Sequence, residues 1–179
     1  MSQHPPAKKN RASKSTFLIV GEGSRDVFFL KYLDSLYLHK DIVWTKILDG
    51  KGGTADGIVD YAKRQLGDYH KKIVMVDNDK KESEMLKARK KALEGGMDLI
   101  ENTPCLEALL LSILNGGISF EDKGSRWCKK EFESKYIDKN NRQIVQEFEK
   151  KFPKKLLSKL RKKIPKLNRL ISVFEGKYK

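Results

Sequence analysis

Phe17-Leu18-Ile19-Val20-Gly21-Glu22-Gly23 and, further on, Ile73-Val74-Met75-Val76-Asp77-Asn78-Asp79 are the two stretches that decide the fold. In each, a short apolar run rich in β-branched residues stops at a glycine or an acid. Such a run predicts a strand buried on both faces, as in a parallel sheet. Between and after them the spacing turns helical. Phe29, Leu30, Leu33 and Leu36 (or Tyr37) mark a helix from Asp26 to Tyr37, and Ile58, Val59, Ala62 and Leu66 mark another from Ala55 to Tyr69. A charged helix runs from Glu82 to Leu93 and is broken by Gly95-Gly96. Ile42 to Leu48, ending in the turn Asp49-Gly50-Lys51-Gly52-Gly53-Thr54, and Met97 to Ile100 supply two more strands. Asn102 and Thr103 are expected to cap a helix whose first turn holds Pro104. That helix runs through Leu106–Leu114 and is apolar almost all round, which predicts burial. Alternation of strand and helix about every fifteen residues is the pattern of an α/β domain with a mostly parallel sheet. Sites in such sheets lie at the carboxyl ends of the strands, near a topological switch point.

The remaining chain differs in charge. Residues 1–120 hold 19 Lys/Arg against 16 Asp/Glu, whereas residues 121–179 hold 19 against 8, so most of the +14 net charge lies in the last third. Helices are expected near Lys129–Tyr136 and Ile144–Phe152, with a third from Leu156 to Phe174 kinked at Pro165. Leu156, Leu160, Ile164, Leu167 and Ile171 form its apolar stripe, and residues 150–169 carry ten Lys/Arg and no acid. A cluster of that kind suits a polyanion, although charge alone does not separate DNA, RNA, an anionic membrane and a merely solvated face. Lys154, Lys155, Lys159, Arg161, Lys162, Lys163, Lys166 and Arg169 are therefore the expected nucleic-acid-binding residues. The organisation expected is a disordered basic arm over 1–15, an α/β domain over 16–120 and a basic helical extension over 121–179. Met1 to Ser15 lacks the apolar core of a signal peptide, and no apolar stretch approaches the ~20 residues of a membrane span. Cys105 and Cys128 make no CxxC pair, and His4, His39 and His70 make no cluster, which argues against zinc. Free cysteines point to a reducing compartment, so a cytoplasmic location is expected.

Acids stand where the sheet's site should be. Glu22 follows the first strand directly and Asp26 lies one turn into the next helix. Asp77 and Asp79 are two apart in extended backbone, so both carboxylates can aim at one point. Glu107 sits in the apolar helix, a costly place for an unpaired charge. Hard oxygen ligands suit Mg²⁺, with Mn²⁺ as a substitute. Lys51 in the Lys-Gly-Gly turn and Lys80 beside Asp79 are candidates for gripping phosphate. An isolated Asp-x-Asp after a strand is also ordinary turn chemistry. Asp at position 26 excludes a GxGxxG fingerprint, and no P-loop is present.

Leu18-Ile19-Val20-Gly21-Glu22-Gly23 together with Val76-Asp77-Asn78-Asp79 resembles the Toprim domain of topoisomerases, DnaG-type primases, OLD-family nucleases and small ribonucleases. Asn102-Thr103-Pro104-Cys105-Leu106-Glu107 is similar to the NPCFE signature of RloB-like Toprim proteins, found among bacterial defence genes. The resemblance covers residues 17–114. It departs from the pattern at Asp26, preceded by Arg25 where relatives carry EGxTE, at the inserted Thr103, and at Ile113 near the place of a family histidine. The resemblance implies a Rossmann-like, four-stranded sheet flanked by helices. It implies Mg²⁺ held by Glu22, Asp77 and Asp79 and a second ion supported by Asp26 and Glu107; Lys80, from its place beside Asp79, is expected to join the catalytic group. With one metal, Glu22 would act as general acid/base. The activity implied is hydrolysis of nucleic acid phosphodiesters in phage defence, with a separately encoded ATPase as partner. The alternatives are a nucleic-acid-binding or partner-docking module without cleavage, and a primase-like nucleotidyl transferase.

Overall fold

The two apolar runs become the central pair of a four-stranded sheet. The computed structural model describes residues 14–136 and 144–178. Its strands are β1 (Ser15–Gly21), β2 (Val43–Asp49), β3 (Lys71–Asp77) and β4 (Asp98–Asn102), in the order β2-β1-β3-β4 with every pairing parallel. Its helices are α1 (Ser24–Tyr37), α2 (Ala55–Arg64), α3 (Glu82–Glu94), α4 (Leu106–Leu114), α5 (Ser125–Tyr136), α6 (Ile144–Lys151), α7 (Lys154–Leu160) and α8 (Pro165–Phe174). The fold is Rossmann-like α/β, and its sheet is wholly parallel.

Strand alternation sends successive side chains to opposite faces. Leu18, Val20, Val74 and Val76 meet Ile58 and Val59 of α2 and Met85 and Ala88 of α3. Phe17, Ile19, Ile73 and Met75 face the other way, into a second core that holds Phe29 and Leu33 of α1 and Leu110 of α4. Phe132, Phe152, Leu160, Leu167 and Phe174 belong to this same core, so the basic last third supplies an outer layer of the sandwich. No helix among the described residues is long and apolar enough to cross a membrane.

Four expectations need correction. The helix starting at Ala55 stops at Arg64 rather than Tyr69, because the Lys72 ammonium donates to the carbonyls of Ala62, Lys63 and Gln65 at 3.1, 3.0 and 2.7 Å. Leu66 is consequently 91% exposed instead of facing the core. Asn102 does not cap a helix: it ends β4 opposite Asp77, the Thr103–Pro104 peptide is cis, and Cys105 is the residue before α4. The long kinked helix is two helices. Pro165 takes the first position of α8, where its missing N–H costs nothing. At the break, Arg161 folds onto Glu175 at 2.6 Å and Asn168 at 2.8 Å. The helix expected from Lys129 starts a turn earlier, at Ser125. The basic arm expected over residues 1–15 lies outside the described residues through Ser13, and Ser15 is already strand.

Phe152 tests the shared core. It is fully buried, its ring packs against Phe148 at 4.8 Å, and its carbonyl accepts the Tyr32 hydroxyl at 2.7 Å. Phe152→Ala should destabilise the whole chain by about 3–5 kcal/mol in one transition. Far-UV circular dichroism and, in a Trp127→Phe background, the fluorescence of Trp44, which lies on β2, should move together on urea unfolding. Sheet melting unchanged by the substitution would mean that the last third folds separately.

Candidate functional site

β1 and β3 are neighbours, but the chain leaves them toward opposite faces of the sheet, α1 on one side and α3 on the other. The crevice between their carboxyl ends is the switch point of this topology. Gly21 allows α1 to start there, since a Cβ at that position would meet the Asp26 Cβ at 2.7 Å. Glu22 Oε2 accepts the Asp77 backbone N–H at 2.8 Å, and its Oε1 pairs with Lys80 Nζ at 2.9 Å. Lys80 also donates to the Gly53 carbonyl at 3.2 Å, tying the Lys-Gly-Gly turn to the site. Asp77 Oδ1 accepts the Leu106 N–H at the start of α4 at 3.0 Å, while its Oδ2 lies 3.5 Å from Lys129 Nζ. Asp79 accepts the Ser125 hydroxyl at 2.6 Å and also lies 3.5 Å from Lys129.

Two acids lie deeper. Asp26, 7% exposed, accepts the Gly23 N–H at 3.1 Å through Oδ2, and its buried Oδ1 has no hydrogen-bond partner among the described residues. Glu107, 3% exposed, is ion-paired with Arg25, whose other guanidinium nitrogen reaches Glu133 at 2.9 Å. Glu107 is therefore neither bound to the backbone of its own helix nor left unpaired. Asn102, opposite Asp77, is fully buried, and among the described residues neither of its polar side-chain atoms has a partner.

Burial, then the charges of Asp77, Glu22 and Glu107, push the Asp26 carboxyl up to about 7 against the pull of the Gly23 amide. Burial and Glu22 raise Asp77 to about 6, although Lys129 opposes them. Burial would raise Asp79 as well, but the Ser125 hydroxyl and the Lys129 and Lys80 charges outweigh it and hold that carboxyl below its usual range. At Lys129 desolvation is overcome by Asp77 and Asp79, so the ammonium is held more firmly than in water.

The sequence-derived residues thus divide. Glu22, Asp26, Asp77, Asp79, Lys80 and Glu107 gather at one end of the sheet. Lys51 is exposed on the neighbouring turn, in left-handed backbone at φ 63°. Lys154 is at the far end: it packs over the Tyr37 ring, and α1 separates Tyr37 from the site by 14 residues, roughly 20 Å of helix. Lys155, Lys159 and Lys162 are exposed, and Arg161 is committed to Glu175. Arg169 is held by Tyr178 and the Leu99 carbonyl. Lys163 and Lys166 come nearer, lining with Thr103 a cavity of about 350 Å³, where Lys166 pairs with Glu121 at 3.5 Å. Sequence reasoning missed Arg25, Ser125, Lys129 and Glu133. The available signal was the spacing of the last three at i, i+4 and i+8, one face of a helix, lost by starting that helix at Lys129.

Among the described residues, no three of His, Cys, Asp and Glu close on one point to hold a metal ion. Lysine ammoniums stand between the acids instead. The donor chemistry nevertheless fits Mg²⁺: all the candidate ligand atoms are carboxylate oxygens, one is buried without a partner among the described residues, and two carboxyls are raised by burial and by the neighbouring carboxylates. The chain matches no protein-family model, no curated protein and no solved structure.

The raised carboxyls make a pH prediction. A carboxyl with a folded pKa above its unfolded value of about 4 binds protons more tightly when folded, so stability falls as pH rises from about 4 to 7. Asp26→Asn should match wild type near pH 4 and exceed it above pH 7 by about 2–4 kcal/mol in urea denaturation without metal. A variant no more stable than wild type at pH 8 would remove the crowding argument.

Proposed function

We propose that the chain is a Toprim-type, Mg²⁺-dependent phosphodiesterase acting on nucleic acid, in the role of a bacterial phage-defence nuclease. One observation carries the reading: Glu22 and the Asp77/Asp79 pair follow adjacent parallel strands, and Glu22 is hydrogen-bonded to the amide of Asp77 itself. Glu22, Asp77 and Asp79 would hold the ion, with Asp26 and Glu107 as the second acid set. Bound Mg²⁺ would supply Lewis-acid polarisation of a phosphoryl oxygen and acidify a water. Lys80 and Lys129, now facing carboxylates, are the cations placed to receive a phosphate. On this reading the partners are nucleic acid and a separately encoded ATPase, and the compartment is the cytoplasm.

A second reading has its own observation. Lys80 and Lys129 already stand as ion-pair partners of Glu22, Asp77 and Asp79. The chain would then be a nucleic-acid-binding or partner-docking module without cleavage.

Incubating the purified protein with single-stranded and duplex DNA and RNA, in Mg²⁺ and in EDTA, separates the two. Cleavage should require Mg²⁺ and fall by about 100-fold or more in Asp77→Asn, which keeps an acceptor for the Leu106 amide. Binding without cleavage in Mg²⁺ would favour the second reading. Equal cleavage by wild type and Asp77→Asn would assign the activity elsewhere.

A further inference from the structure

Helix α5 presents two neighbouring ridges that are used differently. Ser125, Lys129 and Glu133 form one, and each is occupied by a group of the acidic site: Asp79, the Asp77/Asp79 pair, and Arg25. One residue on, roughly 100° around the helix, Arg126 and Lys130 form the next. Both are exposed, and among the described residues neither has a carboxylate partner. They line an open cavity of about 820 Å³ whose wall also includes Asp79, Ser125, Lys129 and Glu133. Arg126, Lys129 and Lys130 line this cavity against Asp79 and Glu133, three cations to two carboxylates, so it is net positive at the edge of the acidic cluster.

Trp127 lies between them in sequence, on the next ridge of the same turn. It is 42% exposed and stacks on Phe120 with ring centroids 6.0 Å apart and planes 17° from parallel. One face of the indole is thus backed by protein while the side chain stays open to solvent. Cations that track a phosphate backbone, interleaved with a rigid aromatic face, are how proteins hold unpaired strands. Stacking needs a base face that a duplex keeps covered.

We propose that α5 grips a single nucleic acid strand, with Arg126 and Lys130 on a backbone phosphate beside Asp79 and Trp127 stacked on a base. The strand's direction into the acidic cluster rests on the phosphodiesterase reading; the grip itself does not. The site is separate from the lysines of α7, which lie toward the other end of α1.

Binding in EDTA tests the grip apart from catalysis. Single strands and duplexes roughly 12 nucleotides long, labelled with fluorescein, are titrated with wild type and with the double variant Arg126→Ala/Lys130→Ala, using anisotropy at several salt concentrations. In a Trp44→Phe background, Trp127 is the sole tryptophan and reports stacking by quenching. Wild type should bind the single strand more tightly than the duplex, with Trp127 quenched. The double variant should bind about 10-fold or more weaker, with a log–log salt slope smaller by roughly 1.4. Its melting temperature should be unchanged, since both side chains are exposed. A double variant with wild-type affinity and slope, or a strand that binds without quenching Trp127, overturns the proposal. If wild type cuts nothing yet the binding results hold, the grip stands and the phosphodiesterase reading falls. If wild type cuts with Mg²⁺ and the double variant binds like wild type, the grip falls alone.

Discussion

Glu22, Asp26, Asp77 and Glu107 crowd four carboxylates at one end of the sheet, and much of the surrounding structure answers that charge. A carboxylate removed from water needs a cation or several hydrogen-bond donors, because its desolvation is otherwise prohibitive. Glu107 has Arg25, Glu22 has Lys80 and the Asp77 amide, and Asp77 has Lys129 and the Leu106 amide. Asp26 has one backbone amide and no cation among the described residues. The balance is incomplete: burial, and after it the neighbouring carboxylates, raises the carboxyls of Asp26 and Asp77 to about 7 and about 6.

That balance also fixes the position of α5. Cys128 and Phe132 bury its inner side in the core, while Ser125, Lys129 and Glu133 bind groups of the site. The basic last third is thereby joined to the sheet twice, once through apolar packing and once through ions. Its positive charge is not spread evenly in effect. Arg161 and Lys166 are engaged with Glu175 and Glu121, whereas Arg126 and Lys130 have no carboxylate partner among the described residues and line an open cavity.

The strands and the acids were legible in the sequence because each has a local signature. An apolar run such as Ile73–Val76 reads as a buried strand, and an acid directly after it lies at the strand's carboxyl end whatever the rest of the chain does. The countercharges have no such signature. Arg25 meets Glu107 across 82 residues and Lys129 meets Asp79 across 50, so neither pair is visible until the fold is known. Lys72 hides the end of α2 for the same reason, since the carbonyls it caps come from a different element. At Pro165 the residue was informative but ambiguous: proline suits a kink or a first turn, and the fold of Arg161 back onto Glu175 selects the latter.

If the acidic cluster is a site for a divalent cation and not a closed network of ion pairs, binding must relieve the uncompensated charge. The direct measurement is thermal unfolding at pH 7.5 with and without Mg²⁺, for wild type and for Asp77→Ala, with K⁺ added to equal ionic strength. The account predicts that Mg²⁺ raises the wild-type melting temperature by several degrees, of the order of 1–3 kcal/mol when Mg²⁺ is well above its Kd. It predicts no such rise in Asp77→Ala. Identical wild-type melting temperatures in Mg²⁺ and in K⁺ would contradict it, leaving Lys80 and Lys129 as the permanent partners of these acids.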